Sequence, residues 1–423
     1  MVLYYIVVSS GNSMRDLIES KIDQLTQQYG SPLFIASADK IKNNLEVFNS
    51  AFSQKYPITA VAYSYKVNYL PEVLKVIHNQ GAWAEVASGF EYEVARKLEV
   101  PGNLIVFNGP FKTKDQLEKA IDEGAIINVD HSDEIEQLEQ IASELGKKIN
   151  IGIRLNMEVG IDQLPDRFGF NLESGEARQI VARCCKKGLL KITGLHVHLT
   201  SYIVQTESED NIPAKGIKLI WPKGHDSYRK ASQKLVDFSN DIRDEFDLKM
   251  EYLDMGGGFP TVNGISPYVN AIVYPILDGF KECDLPKLIL EPGRAIVSDA
   301  ADLITTVVAV KQLPNGQRAV VVDAGINLLP TSFWKFQDIE CLKKTDNNIE
   351  ETIVYGPLCL QTDIISKTKL PKLNAGDHLI VKNVGAYNIP QSSTFIYAQP
   401  AVILVNGENI KVIKKREDIK DMF

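Results

Sequence analysis

Several things are scarce in this chain. Five cysteines are scattered through 423 residues without a metal-type Cys-x-x-Cys pair, so neither a disulfide-built secreted fold nor a zinc ribbon is expected. Adjacent Cys184 and Cys185 read as helix filler. No apolar stretch approaches the roughly 20 residues that cross a bilayer. The apolar opening from Val2 to Val8 is short, lacks a basic leader and reads as a strand rather than an export signal. Basic residues number 46 against 54 acidic ones, and they are dispersed, which argues against a nucleic-acid surface. Low-complexity tracts and Gly-, Ser- or Pro-rich linkers are missing. The expectation is a cytoplasmic protein with reduced thiols, no membrane or nucleic-acid partner, and a small molecule as its ligand.

What is present is a repeat of strand and helix. Apolar, β-branched runs occur at Thr59 to Tyr63, Ala82 to Val86, Leu104 to Phe107, Ala125 to Val129, Ile149 to Leu155, Ile192 to Val197, Tyr252 to Met255 and Leu288 to Leu290, with helix-period stretches between them. Eight such units with nearly continuous apolar strands predict an α/β fold, a closed parallel (β/α)8 barrel of the TIM type over residues 33–297. After Arg294 the texture changes to short strands, among them Leu303 to Val310, Ala319 to Val322, Thr352 to Val354, His378 to Lys382 and Ala401 to Val405, punctuated by Asn- and Gly-containing turns. That region, 298–423 together with 1–32, is expected to form an antiparallel β-domain, with Val2 to Val8 crossing over to join it. The polar connection 202–226 fits no period and would lie over the barrel mouth.

In such a barrel the chemistry belongs at the C-terminal ends of the strands. Reactive residues gather there: Lys66 after strand one, Glu85 in strand two, Arg154 in strand five, His196 and His198 around strand six, Gly256, Gly257 and Gly258 after strand seven, and Glu291 and Arg294 at strand eight. Each has a plain alternative. A lysine there can be surface decoration, three glycines a tight turn, and Glu-Pro-Gly-Arg a salt-bridged turn. His-x-His suggests zinc, but no third ligand is near in sequence, so no metal is expected. Taken jointly, they match the needs of pyridoxal 5′-phosphate: an amine for a Schiff base, an imidazole against a flat ring, glycines near a phosphate and an acid at a ring nitrogen. Flanking Ala62 and tyrosines would desolvate Lys66 toward nucleophilic use.

The ordered set Tyr63-Ser-Tyr-Lys-Val-Asn68, His196-Val-His-Leu-Thr-Ser201, Gly256-Gly-Gly-Phe-Pro260, Glu291-Pro-Gly-Arg294, Tyr355-Gly-Pro-Leu-Cys359 and Gly385-Ala-Tyr387 resembles the fold type III decarboxylases of diaminopimelate, ornithine and arginine over nearly the whole chain. The resemblance implies a homodimer whose sites are shared across the interface. It further implies that Lys66 carries the coenzyme, His198 stacks on its ring, Glu291 faces its pyridinium, and Ser201, Gly256, Gly257, Gly258 and Tyr387 bind its phosphate. Arg294 would approach the phosphate or a substrate carboxylate, Arg154 would orient groups beside the cofactor, and Cys359 from the other subunit would protonate the carbanion. An amino-acid racemase and a regulatory homologue that has lost catalysis are the competing readings; Glu291 and Cys359 together favour decarboxylation.

The chain also departs from the family. Leu360 follows Cys359 where the diaminopimelate branch has an acid, Leu328-Leu329-Pro330-Thr331-Ser332 lacks the branch's arginine, Thr200 replaces a glycine, and Glu85 and Phe90 replace an aspartate and a glycine. Leaving the charged far end of diaminopimelate without these partners would cost roughly 1–3 kcal/mol per unsatisfied group or more. The substrate is therefore expected to be an α-amino acid whose distal amine is acylated, such as a citrylated ornithine or diaminopropionate of siderophore assembly.

Overall fold

The computed structural model describes residues 14–160, 167–199, 202–205, 217–220, 224–281, 284–333, 335–342, 349–421 and 423, with only the backbone for 202–205 and 217–220. The chain divides into two compact units, Lys42–Ser298 and Met1–Ile41 with Asp299–Phe423.

The first unit is the expected barrel. Its strands are Thr59–Ser64, Trp83–Val86, Ile105–Phe107, Ile126–Val129, Ile149–Asn156, Leu190–Val197, Tyr252–Asp254 and Lys287–Leu290, in that order around the ring. All pairings in the ring are parallel, and it closes where Leu288 meets Thr59. Local signals punctuate the intervening helices. Pro71 opens Pro71–His78, the Ser88 side chain caps Gly89–Lys97, and a reciprocal Thr113–Gln116 box caps Lys114–Asp122. Each such cap is worth about 1 kcal/mol. Ser132–Leu145 stops at Gly146, whose φ of 61° is left-handed.

Because side chains alternate along a strand, every second residue enters the barrel lumen. A lower layer is apolar: Ala60, Ala62, Val106, Tyr252 and Ile289 pack together. Tyr252 crosses the centre, and glycine is required opposite it, since a Cβ on Gly194 would stand 2.2 Å from its ring and one on Gly152 2.1 Å from its hydroxyl. The next inward position on each strand is polar, and there the site begins.

The second unit is the predicted β-domain, with two corrections. Its sheet is mostly antiparallel, yet Arg318–Val322 pairs with Glu350–Tyr355, and Leu33–Ser37 with Ala401–Asn406, in parallel. Asp338–Cys341, Ile364–Leu370 and Asn409–Lys414 are strands without a strong sequence signal. The crossing strand is Leu33–Ser37, so the division falls after Ile41 and not before Leu33. All five of its residues are buried, and an unbroken apolar run does not reveal which sheet it joins. Val2 to Val8 lies outside the described residues. Ile18, Leu33, Ile35, Ile304, Ile380, Ala401 and Ile403 form the core of this unit. Within the stretch read as an irregular connection, Tyr202–Gln205 and Ile217–Ile220 pair antiparallel, and a 23-residue helix starts at Gly224.

Candidate active site

The upper layer of the lumen is a continuous hydrogen-bonded network, built from residues two positions beyond the apolar layer. Lys66 stands in a one-turn 3-10 helix, Tyr65–Val67, after strand one. Its Nζ lies 2.9 Å from Glu85 Oε2, and Glu85 is fully buried. The Ser64 hydroxyl donates to the same oxygen. Lys66 is thus met by a carboxylate, and its side chain stays 38% accessible rather than enclosed by apolar groups, which corrects the expectation of simple desolvation. Asn108 Nδ2 donates to Glu85 Oε1 at 3.1 Å and to Glu291 Oε1, and Asn108 Oδ1 accepts from Asn128 Nδ2 at 2.9 Å. Asn128 in turn accepts from the Tyr252 hydroxyl at 2.8 Å.

Two acids with opposite electrostatics meet at the centre. Burial and the neighbouring Glu291 charge push the Asp254 carboxyl well above the usual range. Burial acts on Glu291 in the same sense, but the facing His196 ring at 3.7 Å and His198 ring at 3.8 Å, with Lys66 beyond them, outweigh it and hold Glu291 well below that range. The pair therefore keeps one proton, on Asp254, and leaves Glu291 an anion. His196, Asp254 and Glu291 bring potential ligand atoms within 4.8 Å of one another, a meeting that sequence spacing concealed because they come from three strands. Asp254 accepts from the Gly256 N–H at 2.9 Å and from Asn128 Nδ2 at 3.4 Å, and Glu291 accepts from Asn108 Nδ2.

His198 stands just past strand six, 3.8 Å from Glu291 Oε2, and burial lowers its pKa, favouring the neutral ring. Its Nδ1 accepts the Gly257 N–H at 3.0 Å. Gly256 and Gly258 have φ of +62° and +88°, and a Cβ on Gly257 would lie 2.4 Å from the Glu291 carbonyl. At these glycines the backbone packs closely against Val197, His198 and Glu291, leaving no room for a Cβ. Two of its three amides donate within the protein, while Gly258 N–H has no partner among the described residues. Arg154 is tied to Asp130 at 3.0 Å, its guanidinium 4.5 Å from the Phe168 ring centre. Arg294 begins the short helix Arg294–Val297 that follows strand eight. Cys359, exposed, and Tyr387, at a left-handed φ of 66°, belong to the second unit; Ser201 lies outside the described residues. Buried Asp363 accepts N–H bonds from Ile326 at 2.8 Å and Leu358 at 2.7 Å, and so ties the Cys359 turn to the loop after Asp323.

Sequence reading missed Asn108, Asn128, Tyr252 and Asp254. Counting inward positions along each strand would have found all four, because they share parity with Glu85, His196 and Glu291.

These residues fit pyridoxal phosphate. An amine beside a carboxylate, a buried anion with neutral imidazole next to it, and a glycine surface without room for a Cβ answer the coenzyme's aldehyde, ring nitrogen and phosphate in turn. Residues 38–212 and 223–298 match the family described as pyridoxal-dependent decarboxylase, pyridoxal binding domain. The diaminopimelate decarboxylase of Aquifex aeolicus is 30% identical over 94% of this chain and 92% of its own length. The crystal structure of the diaminopimelate decarboxylase of Methanocaldococcus jannaschii superposes with a TM-score of 0.82 at 27% identity, covering 94% and 92% of the two chains. A lysine/ornithine decarboxylase of Vibrio vulnificus, solved with putrescine, shares the fold at a TM-score of 0.75 and 22% identity. With a lysine, an ionised glutamate and a glycine cradle at one barrel mouth, and this likeness over nearly its full length, the chain belongs to the pyridoxal-dependent decarboxylases and is a carboxy-lyase that uses pyridoxal phosphate.

Proposed function

We propose that this enzyme removes the α-carboxylate of a diaminopimelate- or ornithine-type amino acid. The observation that carries the reading is the likeness, at 30% identity over 94% of the chain, to a diaminopimelate decarboxylase; the Methanocaldococcus jannaschii relative has also been solved in complex with L-lysine. Pyridoxal phosphate, when bound, supplies an electron sink for the pair left by the departing carboxylate.

The residues of the chain do the rest. The Lys66 amine holds the coenzyme aldehyde and Glu85 holds that amine in place. Glu291, kept ionised, holds a proton at the ring nitrogen, and Asp254 behind it takes the proton that the pair of acids cannot do without. Neutral His198 would stack on the coenzyme ring without adding charge. Arg154, fixed by Asp130, would orient groups at the mouth; Ser201, Gly256, Gly257, Gly258 and Tyr387 would bind the phosphate, and Arg294 the phosphate or a substrate carboxylate. The Cys359 thiol delivers a proton to Cα after carbon dioxide leaves, from the second subunit of a homodimer. A cytoplasmic location is in keeping with five cysteines that form no disulfide framework in the sequence; separately, no helix among the described residues is long and apolar enough to cross a membrane.

One observation favours a second reading, in which the distal amine of the substrate is acylated. Leu360 follows Cys359, and buried Thr331, bonded to Asn388 at 2.8 Å, stands in the run that lacks the family arginine. The deciding assay is carbon dioxide release from meso-diaminopimelate, ornithine and citryl-ornithine. Preferred turnover of a free amino acid is the expected result; turnover of the citryl compound alone would replace this reading with the second, and racemisation without gas would remove both.

A further inference from the structure

Asn108 stands just past the third strand, 4% exposed, with its own N–H extending the ladder to the Val86 carbonyl at 2.8 Å. No motif of this chain includes it. Its amide nonetheless contacts both ends of the site. One nitrogen gives a hydrogen to Glu85 Oε1 at 3.1 Å and another to Glu291 Oε1. Each carboxylate then has its second oxygen left for chemistry. Glu85 Oε2 faces Lys66 Nζ at 2.9 Å, and Glu291 Oε2 faces His196 at 3.7 Å and His198 at 3.8 Å.

The orientation of the amide is determined by its neighbours. Two carboxylates can only accept, so Asn108 must turn its NH2 toward them and its oxygen toward Asn128. Asn128 must then present its own NH2 to Asn108, and its oxygen receives the Tyr252 hydroxyl at 2.8 Å. An acid at position 108 would add a fourth carboxyl to a centre that already holds Glu85, Asp254 and Glu291, all essentially unexposed, and would remove the donor between two of them. A lysine would compete with Lys66 for Glu85. A single amide nitrogen satisfies both carboxylates without charge.

We propose that Asn108 is a positioning residue that couples Glu85 to Glu291, so that the acid on the coenzyme-bearing amine and the acid on the ring nitrogen are held as one rigid unit. The proposal rests on the assignment of Lys66 and Glu291 to the two ends of the coenzyme. Its consequence is that changing the one side chain that bonds to both acids alters both ends.

The test uses the coenzyme-loaded enzyme and the variant Asn108→Leu, which keeps the shape and loses both N–H groups. Borohydride reduction and mass spectrometry of the wild-type Lys66 peptide check the underlying assignment separately; an unmodified Lys66 would remove that assignment. In Asn108→Leu, Lys66 remains modified, but the pH at which the bound coenzyme's absorbance titrates falls, because Glu85 without its donor is no longer held against the amine. Turnover falls on the order of ten- to a hundredfold with KM nearly unchanged, the scale of a misaligned group that does not itself react. A structural role alone would lower the melting temperature without moving the spectral titration. If Asn108→Leu does not fold, Asn108→Ser is read instead, and a smaller shift in the same direction is expected. A folded, loaded variant of either kind with wild-type titration and wild-type turnover would overturn the coupling.

Discussion

The barrel lumen and the core of the β-unit are both assembled from inward-facing strand residues, and they differ in what those residues are. In the β-unit, Leu33, Ile35, Ile304, Ile380 and Ile403 bury hydrocarbon and nothing else. In the barrel, a comparable apolar layer around Tyr252 supports one of Glu85, Asn108, Asn128, His196, Asp254 and Glu291. The first arrangement gains roughly 25 cal/mol for each Å² of apolar surface removed from water. The second gives up part of that gain and is tolerated because nearly every polar atom in it has a partner; His196, with neither ring nitrogen hydrogen-bonded, is the exception. A core that accepts charge at this cost is one that does chemistry, and a core that avoids it carries stability.

That contrast can be broken from either side. The largest effect belongs to Lys66→Ala, which should abolish the coenzyme absorbance band and reduce carbon dioxide release to background. Cys359→Ala should keep the band but slow or misdirect protonation by about a hundred- to ten-thousandfold, read from product composition. Mixing the two inactive proteins should restore some turnover if sites are shared between subunits, and no recovery would count against sharing. Glu291→Gln replaces the anion by a neutral amide, and turnover should fall about a hundred- to a thousandfold, with the Asp254 proton no longer favoured.

Changes in the apolar core should act on stability alone. Ile403→Ala, at a fully buried position, should cost about 2–5 kcal/mol in urea unfolding and leave the absorbance band of the folded protein intact. The smallest effect sharpens the comparison through pH. Burial raises the Glu91 carboxyl from 4.5 to about 7, with the Ala87 N–H opposing and Glu85 adding to the rise. Because the folded form keeps this proton after the unfolded chain has lost it, the stability it contributes is present below pH 4.5 and is lost as pH rises toward 7. The loss is on the order of 3 kcal/mol. Glu91→Gln should flatten that slope in denaturation measured across the same window.

Much of this could be read from residue order, and the reason differs from element to element. The eight barrel strands announced themselves because parallel strands buried on both faces are continuous apolar runs, and their ends carried Lys66, His198, Glu291 and the glycine triplet in plain view. Leu33–Ser37 was misassigned because the same kind of run carries no mark of its sheet. The substrate reading illustrates the opposite difficulty: Leu360 and Thr331 are informative as absences, while likeness over nearly the whole chain supports a diaminopimelate-type substrate more strongly.

The amino-acid order alone determined the architecture and the coenzyme class and nominated the residues proposed to meet it, because periodicity and the chemistry of lysine, glutamate and glycine are local properties. Tertiary structure alone decided that Asn108 bridges two acids from different strands, that Asp254 is the one to keep the proton, and that Lys66 faces Glu85. Hydrogen bonding and charge act through distances across a closed ring, and only the closed ring brings these residues together.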